Sequence, residues 1–145
     1  MIHFFRKKFS KSSAWLKLSP ADRSTLKSGC LNSLLQEPER SVRNALAQLI
    51  STLAKHELTS GSWPELLQMI QEKLASEDGQ HRVLAVYTVS VLAENAGEQL
   101  KPNLKDFLKV FSKTLQDAQL EVCFYTIVAL THFVSFFKII FNLKI

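Results

Sequence analysis

A chain of 145 residues, 46% apolar and 21% charged, can bury one real core and is neither disordered nor highly charged throughout. Glycine and proline are sparse, four of each, and β-branched residues seldom alternate with polar ones, so the composition points to an all-α protein. The net charge of +5 is local, because residues 1–30 carry seven basic side chains against Asp22 alone while residues 31–145 carry eleven basic and twelve acidic groups; a basic nucleic-acid-binding face over most of the chain is excluded.

The start, MIHFFRKKFSKSSAWLKL, lacks the uninterrupted apolar core of a secretory signal. It is acid-free, basic and Ser-containing, which weakly suits a mitochondrial presequence, but the two faces of a helix at about 3–14 account for the same pattern. Ser19 is placed to cap a helix at 20–36, with Asp22 in its first turn. Pro38 opens the next, at 39–57. At 100° per residue that helix sets Val42, Ala45, Leu46, Leu49, Ile50 and Leu53 on one arc, and Arg40, Asn44, Gln48, Ser51 and Lys55 on the other. Ser62 can cap a helix at 63–76 begun by Trp63-Pro64. The breaks SEDGQ, ENAGEQLK and QDAQ then delimit helices at 80–95, 102–116 and 119–134.

The helices come in pairs, and the pairs repeat. Leu26, Cys30 and Leu34 have the spacing of a buried stripe; Leu66, Ile70 and Leu74 restate it forty residues on, and Phe107, Phe111 and Leu115 forty-one after that. In the second helices Leu46 and Leu49, Val86 and Val89, and Thr126 and Ala129 recur forty apart. A helix-pair period near 40 is that of a HEAT/armadillo-like α-solenoid, an α-α superhelix, here of about three pairs; the tetratricopeptide period of about 34 does not fit. One pair cannot cover its own apolar face, so stacked pairs build a continuous core.

Glu37 to Ala54 resembles the HEAT consensus, in which Asp-Pro is followed four residues on by Val-Arg and an Ala-rich helix; Pro38, Val42 and Arg43 match, with Glu37 replacing the Asp. In that family the Asp and Arg positions form a hydrogen-bonded ladder between repeats. The resemblance places Glu37, Arg43, Arg82 and Asp117 in it, with Cys123 standing where the third Arg is expected. The longer stretches RKKFSKSSAWLKLSPADRSTLK, SVRNALAQLISTLAKHEL and SWPELLQ look like the N-terminal repeats of an importin-β (karyopherin-β) family receptor, over roughly residues 5–133. The resemblance implies a partial first repeat at 1–18 (its second helix), repeats at 19–58, 59–98 and 99–133, and an atypical apolar tail at 134–145. It also implies a fragment or truncated form of a much longer receptor.

By the same resemblance the chain would bind cargo proteins and the Ran GTPase in its GTP form along the second helices, with Arg40, Asn44, Ser51 and Lys55 facing the concave side. Grooves between first helices would accept Phe-Gly segments of nucleoporins, and the protein would shuttle between cytoplasm and nucleus. Neither a cofactor, a membrane nor direct nucleic acid enters this reading. The alternative is a HEAT-repeat scaffold outside transport.

An enzyme is not indicated: no Gly-rich phosphate loop, H-E-x-x-H or nucleophile–His–acid pattern is present, and His3, His56, His81 and His132 are scattered. Cys30 and Cys123 have neither disulfide nor zinc spacing and read as buried thiols. Val122 to Ile140 is nearly long and apolar enough for a membrane span, but its first part keeps the repeat register and reads as a buried second helix. The segment VSFFKIIFNLKI has no acid, no cap and no polar turn, and Val-Ser can be encoded by the usual start of an intron. It is therefore expected to lie outside the repeats, exposing apolar surface, so that its deletion would leave 20–133 intact.

Overall fold

The computed structural model describes residues 13–141, so the helix expected at 3–14 lies, but for Ser13 and Ala14, outside the described residues. The elements in order are α1 (Ser13–Leu16), α2 (Pro20–Gln36), α3 (Arg40–Glu57), α4 (Pro64–Leu74), α5 (Gly79–Leu100), α6 (Leu104–Thr114) and α7 (Leu120–Phe141). Single 3₁₀ turns, Leu58–Ser60 and Lys101–Asn103, precede α4 and α6, and no strand occurs among the described residues. The helices form an α-solenoid: α2 packs on α3, α4 on α5 and α6 on α7, while α3, α5 and α7 stack side by side. The second helices begin at Arg40, Gly79 and Leu120, 39 and 41 residues apart.

Local chemistry explains most boundaries. Ser19 Oγ accepts the Asp22 N–H at 3.1 Å and Pro20 occupies the first turn of α2. Pro64 likewise starts α4, although Trp63 rather than Ser62 is the residue before it. Pro38 sits two residues ahead of α3, because Glu39 holds the capping position and accepts the Ser41 N–H. Gly61 closes the first 3₁₀ turn at φ 66°, a left-handed conformation that a residue with Cβ adopts only at a cost.

The core runs through all three pairs. Trp15, Leu34, Ile50, Leu66, Ile70, Leu92, Leu100 and Phe111 are fully buried. The middle second helix, α5, is apolar on nearly every side because α3, α4 and α7 surround it. It extends five residues beyond the expected end but breaks at Ala96 (φ −134°, ψ 31°), inside the polar turn that the sequence suggested. Gly97 follows, and Phe136 of α7 lies beside it, at an ordinary van der Waals distance of 3.5 Å from where a Cβ would stand.

Two expectations change. The stripe in α2 is turned: Leu26 is 43% exposed, whereas Leu31 and Leu34 are buried and Lys27 reaches inward to Glu57. Leu115, at the end of α6, is also exposed. Beyond Phe133, helix α7 continues through Val134 to Phe141, and Phe136 lies beside Gly97 of the second pair.

Candidate partner-binding surface

The turns that lead into the second helices share one construction. Six residues before Arg43, Arg82 and Cys123 stand Glu37, Ser76 and Asp117. Each uses its side chain to hold the backbone two residues on: Glu37 Oε1 accepts from Glu39 N at 2.9 Å, Ser76 Oγ from Asp78 N at 3.2 Å, and Asp117 Oδ1 from Gln119 N at 2.9 Å. The later residue then returns to the turn. Arg43 Nη1 donates to the carbonyls of Glu37 and Pro38 at 2.9 and 2.7 Å, and Arg82 Nη1 to those of Ser76 and Glu77, both at 2.8 Å. Cys123 Sγ lies 3.4 Å from the carbonyls of Leu115 and Asp117. These side chains satisfy carbonyls that a helix end leaves without partners.

Only Arg82 spans two turns. Its Nε and Nη2 donate to Asp117 Oδ2 and Oδ1 at 2.7 and 3.0 Å, a two-pronged pair between the second and third helix pairs. These hydrogen bonds hold the Asp117 carboxyl below the usual carboxylate range, against the opposing effect of burial. The contacts of Arg43 stay within its own turn, and those of the Glu37 carboxylate do too. The reason is position 76: a serine there offers Arg43 no carboxylate where Asp117 offers one to Arg82.

Beside these turns lies a depression of about 220 Å³ formed by the starts of α3, α5 and α7, with Arg40, Asn44, Gln80, Tyr87, Glu121 and Tyr125 among its walls. Arg40 reaches from α3 past α5 to α7: its Nη1 donates to Glu121 Oε1 at 2.9 Å and its Nη2 to Tyr125 Oη at 3.3 Å. These contacts stabilise the guanidinium's charged form. Tyr125 meets Tyr87 edge-on, with ring centroids 5.0 Å apart. Burial pushes the Tyr87 hydroxyl up despite the hydrogen bond with Gln48.

Of the four residues set on the concave side by resemblance, Arg40 and Lys55 are exposed and Asn44 is half-buried. Ser51 is a correction: it is 0% exposed and bonds the Gln48 carbonyl at 2.8 Å and Asn95 Nδ2 at 3.1 Å. The polar arc of α3 does not face solvent along its length. It forms a polar seam with α5, where Asn95 also reaches Gln48 Oε1 at 3.4 Å and the Val91 carbonyl at 3.1 Å.

A second charged cluster escaped the sequence reading. Glu57, 4% exposed at the end of α3, accepts from Trp15 Nε1 at 2.8 Å and from Lys27 Nζ at 2.7 Å, with Arg23 Nη1 at 3.7 Å. Lys27 continues to the Ser62 carbonyl at 2.6 Å and lies 6.0 Å from the ring centre of Trp63. Burial pushes the Glu57 carboxyl up, but the hydrogen bonds from Lys27 and Trp15 and the two nearby cations prevail, and it titrates below the ordinary range. The signal was present: Ile50, Leu53, Ala54 and Glu57 share one helical stripe, so the acid falls on the buried side. No helix among the described residues is long and apolar enough to cross a membrane.

Comparison with known proteins agrees with this architecture. A family described as "IPO5-like, TPR repeats" matches residues 38–138, most of the described chain and past Val134. Importin-4 of Mus musculus is 30% identical over 81% of this chain and 11% of its own length. The probable importin subunit beta-4 of Schizosaccharomyces pombe is 32% identical over 68% of this chain and 9% of its own. Importin subunit beta-1 of Saccharomyces cerevisiae is 26% identical over 72% and 12%. The chain thus spans about a tenth of the length of the curated relatives it matches. With the helix pairs stacked at a forty-residue register and this similarity across most of its length, the chain belongs to the importin-β family of HEAT-repeat proteins.

Proposed function

We propose that this chain serves as the N-terminal part of a nuclear import receptor, divided into repeats at 19–58, 59–98 and 99–133 after a partial one at 1–18. It binds Ran-GTP and cargo proteins through the second-helix layer and mediates protein import between cytoplasm and nucleus. The observation that carries this reading is the unbroken stack of α3, α5 and α7 in a chain with importin relatives. Along that layer Arg40, Asn44 and Lys55 keep polar atoms available to a protein partner, and Ser51 is withdrawn from the set. On the opposite layer, Leu67, Leu74, Phe107 and Val110 line a shallow groove between α4 and α6. Its apolar walls suit the Phe side chains of Phe-Gly nucleoporin segments.

A pull-down with Ran loaded with GTP or with GDP tests the proposal. Retention of Ran-GTP over Ran-GDP, reduced by a double change Arg40→Glu and Lys55→Glu, is the expected result. Equal retention of both forms, or of neither, would leave a HEAT scaffold outside transport as the better account.

A further inference from the structure

The charged clusters described above are answered within the molecule, but the outer side of α6 is not. Phe107, Phe111 and Thr114 bury one side of this helix. On the opposite side stand Lys105, Lys109 and Lys113, all exposed, at steps of four residues. They take up about 80° of the helix circumference and about 12 Å of its length. Among the described residues none of the three makes an ion pair or a side-chain hydrogen bond. Asp106, the one acid of α6, lines the groove between α6 and α4. Lysines four apart on a helix repel one another, and Lys105 stands in the first turn, where the helix dipole disfavours a cation. The row is assembled against local helix energetics.

It belongs to one repeat. The same outward positions of α4, forty-one residues earlier, are Pro64, Gln68 and Glu72, and those of α2, forty earlier again, are Ser24, Ser28 and Asn32. All six are exposed, as is Glu65 of α4. The outer layer thus passes from neutral to acidic to basic. A further pair stacked beyond α6 would take the flank that holds Leu108, away from the groove shared with α4, and would leave the row outward.

We propose that the outer side of α6 is a docking site for an acidic polypeptide segment, whose Asp or Glu side chains pair with Lys105, Lys109 and Lys113. The spacing fits: the lysines rise about 6 Å per step, and alternate side chains of an extended strand about 6.6 Å. The width fits too. The positive surface is one helix across, so a broad polyanion would also meet Glu65 and Glu72, whereas a single strand would not. Other polyanions lack their usual holds. Single-stranded nucleic acid is gripped by stacking on exposed aromatic rings, and both aromatic residues of α6 are buried. A bilayer takes up the apolar side of a helix, and that of α6 is committed to the core. The site lies on the opposite layer from the surface proposed for Ran-GTP and cargo, so the two can be occupied together.

Fluorescence anisotropy of a labelled poly-glutamate peptide of about 20 residues, titrated with the full chain, tests this; saturable binding is expected, with a Kd that rises steeply between about 20 and 200 mM salt. Lys105→Gln, Lys109→Gln and Lys113→Gln together should raise the Kd at least about tenfold with circular dichroism unchanged, since all three side chains are exposed. The same three positions changed to Arg should keep it. Lys17→Gln, Lys73→Gln and Lys138→Gln remove equal charge elsewhere and should alter it less than about twofold. Equal losses in the two Gln triples would reduce the contact to net charge, and no loss in the first would place the peptide elsewhere; either result overturns the proposal. So would tighter binding, through the same three lysines, of an oligothymidylate of equal length or of phosphatidylserine vesicles.

Discussion

The two ends of the second-helix layer hold the solenoid together in different ways. At the starts of α3, α5 and α7, charged side chains lie in turns, donate mostly to backbone carbonyls and stay partly open to water. At the end of α3, Glu57 gathers an indole and two cations from α1 and α2 in almost complete burial. Removing Asp117 on the turn side takes one acceptor from Arg82, which keeps the carbonyls of Ser76 and Glu77, whereas removing Glu57 takes from Trp15 and Lys27 the acceptor they share and leaves Lys27 only the Ser62 carbonyl. The difference lies in how many side chains depend on one acid, not in residue type.

The largest test is therefore Glu57→Ala. It should destabilise the fold by about 3–5 kcal/mol, because Lys27 and Trp15 are deprived of their shared acceptor in a buried site; chemical denaturation measures this directly. A Glu57→Met variant as stable as the native chain would place the cluster with the turn-side interactions instead. Asp117→Ala should cost less, about 1–2 kcal/mol, by removing the acceptor of Arg82 and of Gln119 N.

Acid sharpens the same contrast. The Glu57 and Asp117 carboxyls are both held below their ordinary range, so their contribution is fully present above that range and is lost as pH falls through the lowered values. Melting temperature should stay level down to about pH 4 and then decline, and Glu57→Gln should flatten the decline. A matching gain is expected on the turn side. Ser76 stands to Arg43 as Asp117 stands to Arg82, so Ser76→Asp should add a second bridge and about 0.5–1 kcal/mol of stability. No change would mean that register alone does not bring the two within reach. The smallest effect is Arg40→Ala, within about 0.5 kcal/mol, because its ion pair with Glu121 is 54% and 44% exposed.

Helix spacing was legible in the sequence because the apolar pattern recurs from pair to pair, even where Leu26 and Leu115 turn out exposed, and Ser19 and Pro20 announced the start of α2. The faces were harder. A helix read at 100° per residue is assigned one buried arc, but α3 is covered on two sides, by α2 and by α5. Its polar arc is therefore partly interior, with Gln48 and Ser51 answered by Asn95 forty-odd residues away. Glu57 was missed for the complementary reason: its place on the apolar stripe was visible, while its donors lie on α1 and α2, and no local pattern joins them. Likewise VSFFKI has the composition of an unpaired tail, yet helix α7 continues through it and Phe136 lies beside Gly97.

The contact of Arg40 with Glu121 skips a repeat. A solenoid held only by adjacent pairs behaves as a one-dimensional chain, in which the end units fray without consulting each other. A bond from the first pair to the third adds a small coupling beyond nearest neighbours. Because that pair faces water, salt weakens it through screening. Ionic strength then trims this one long-range coupling while leaving the buried contacts between adjacent pairs untouched.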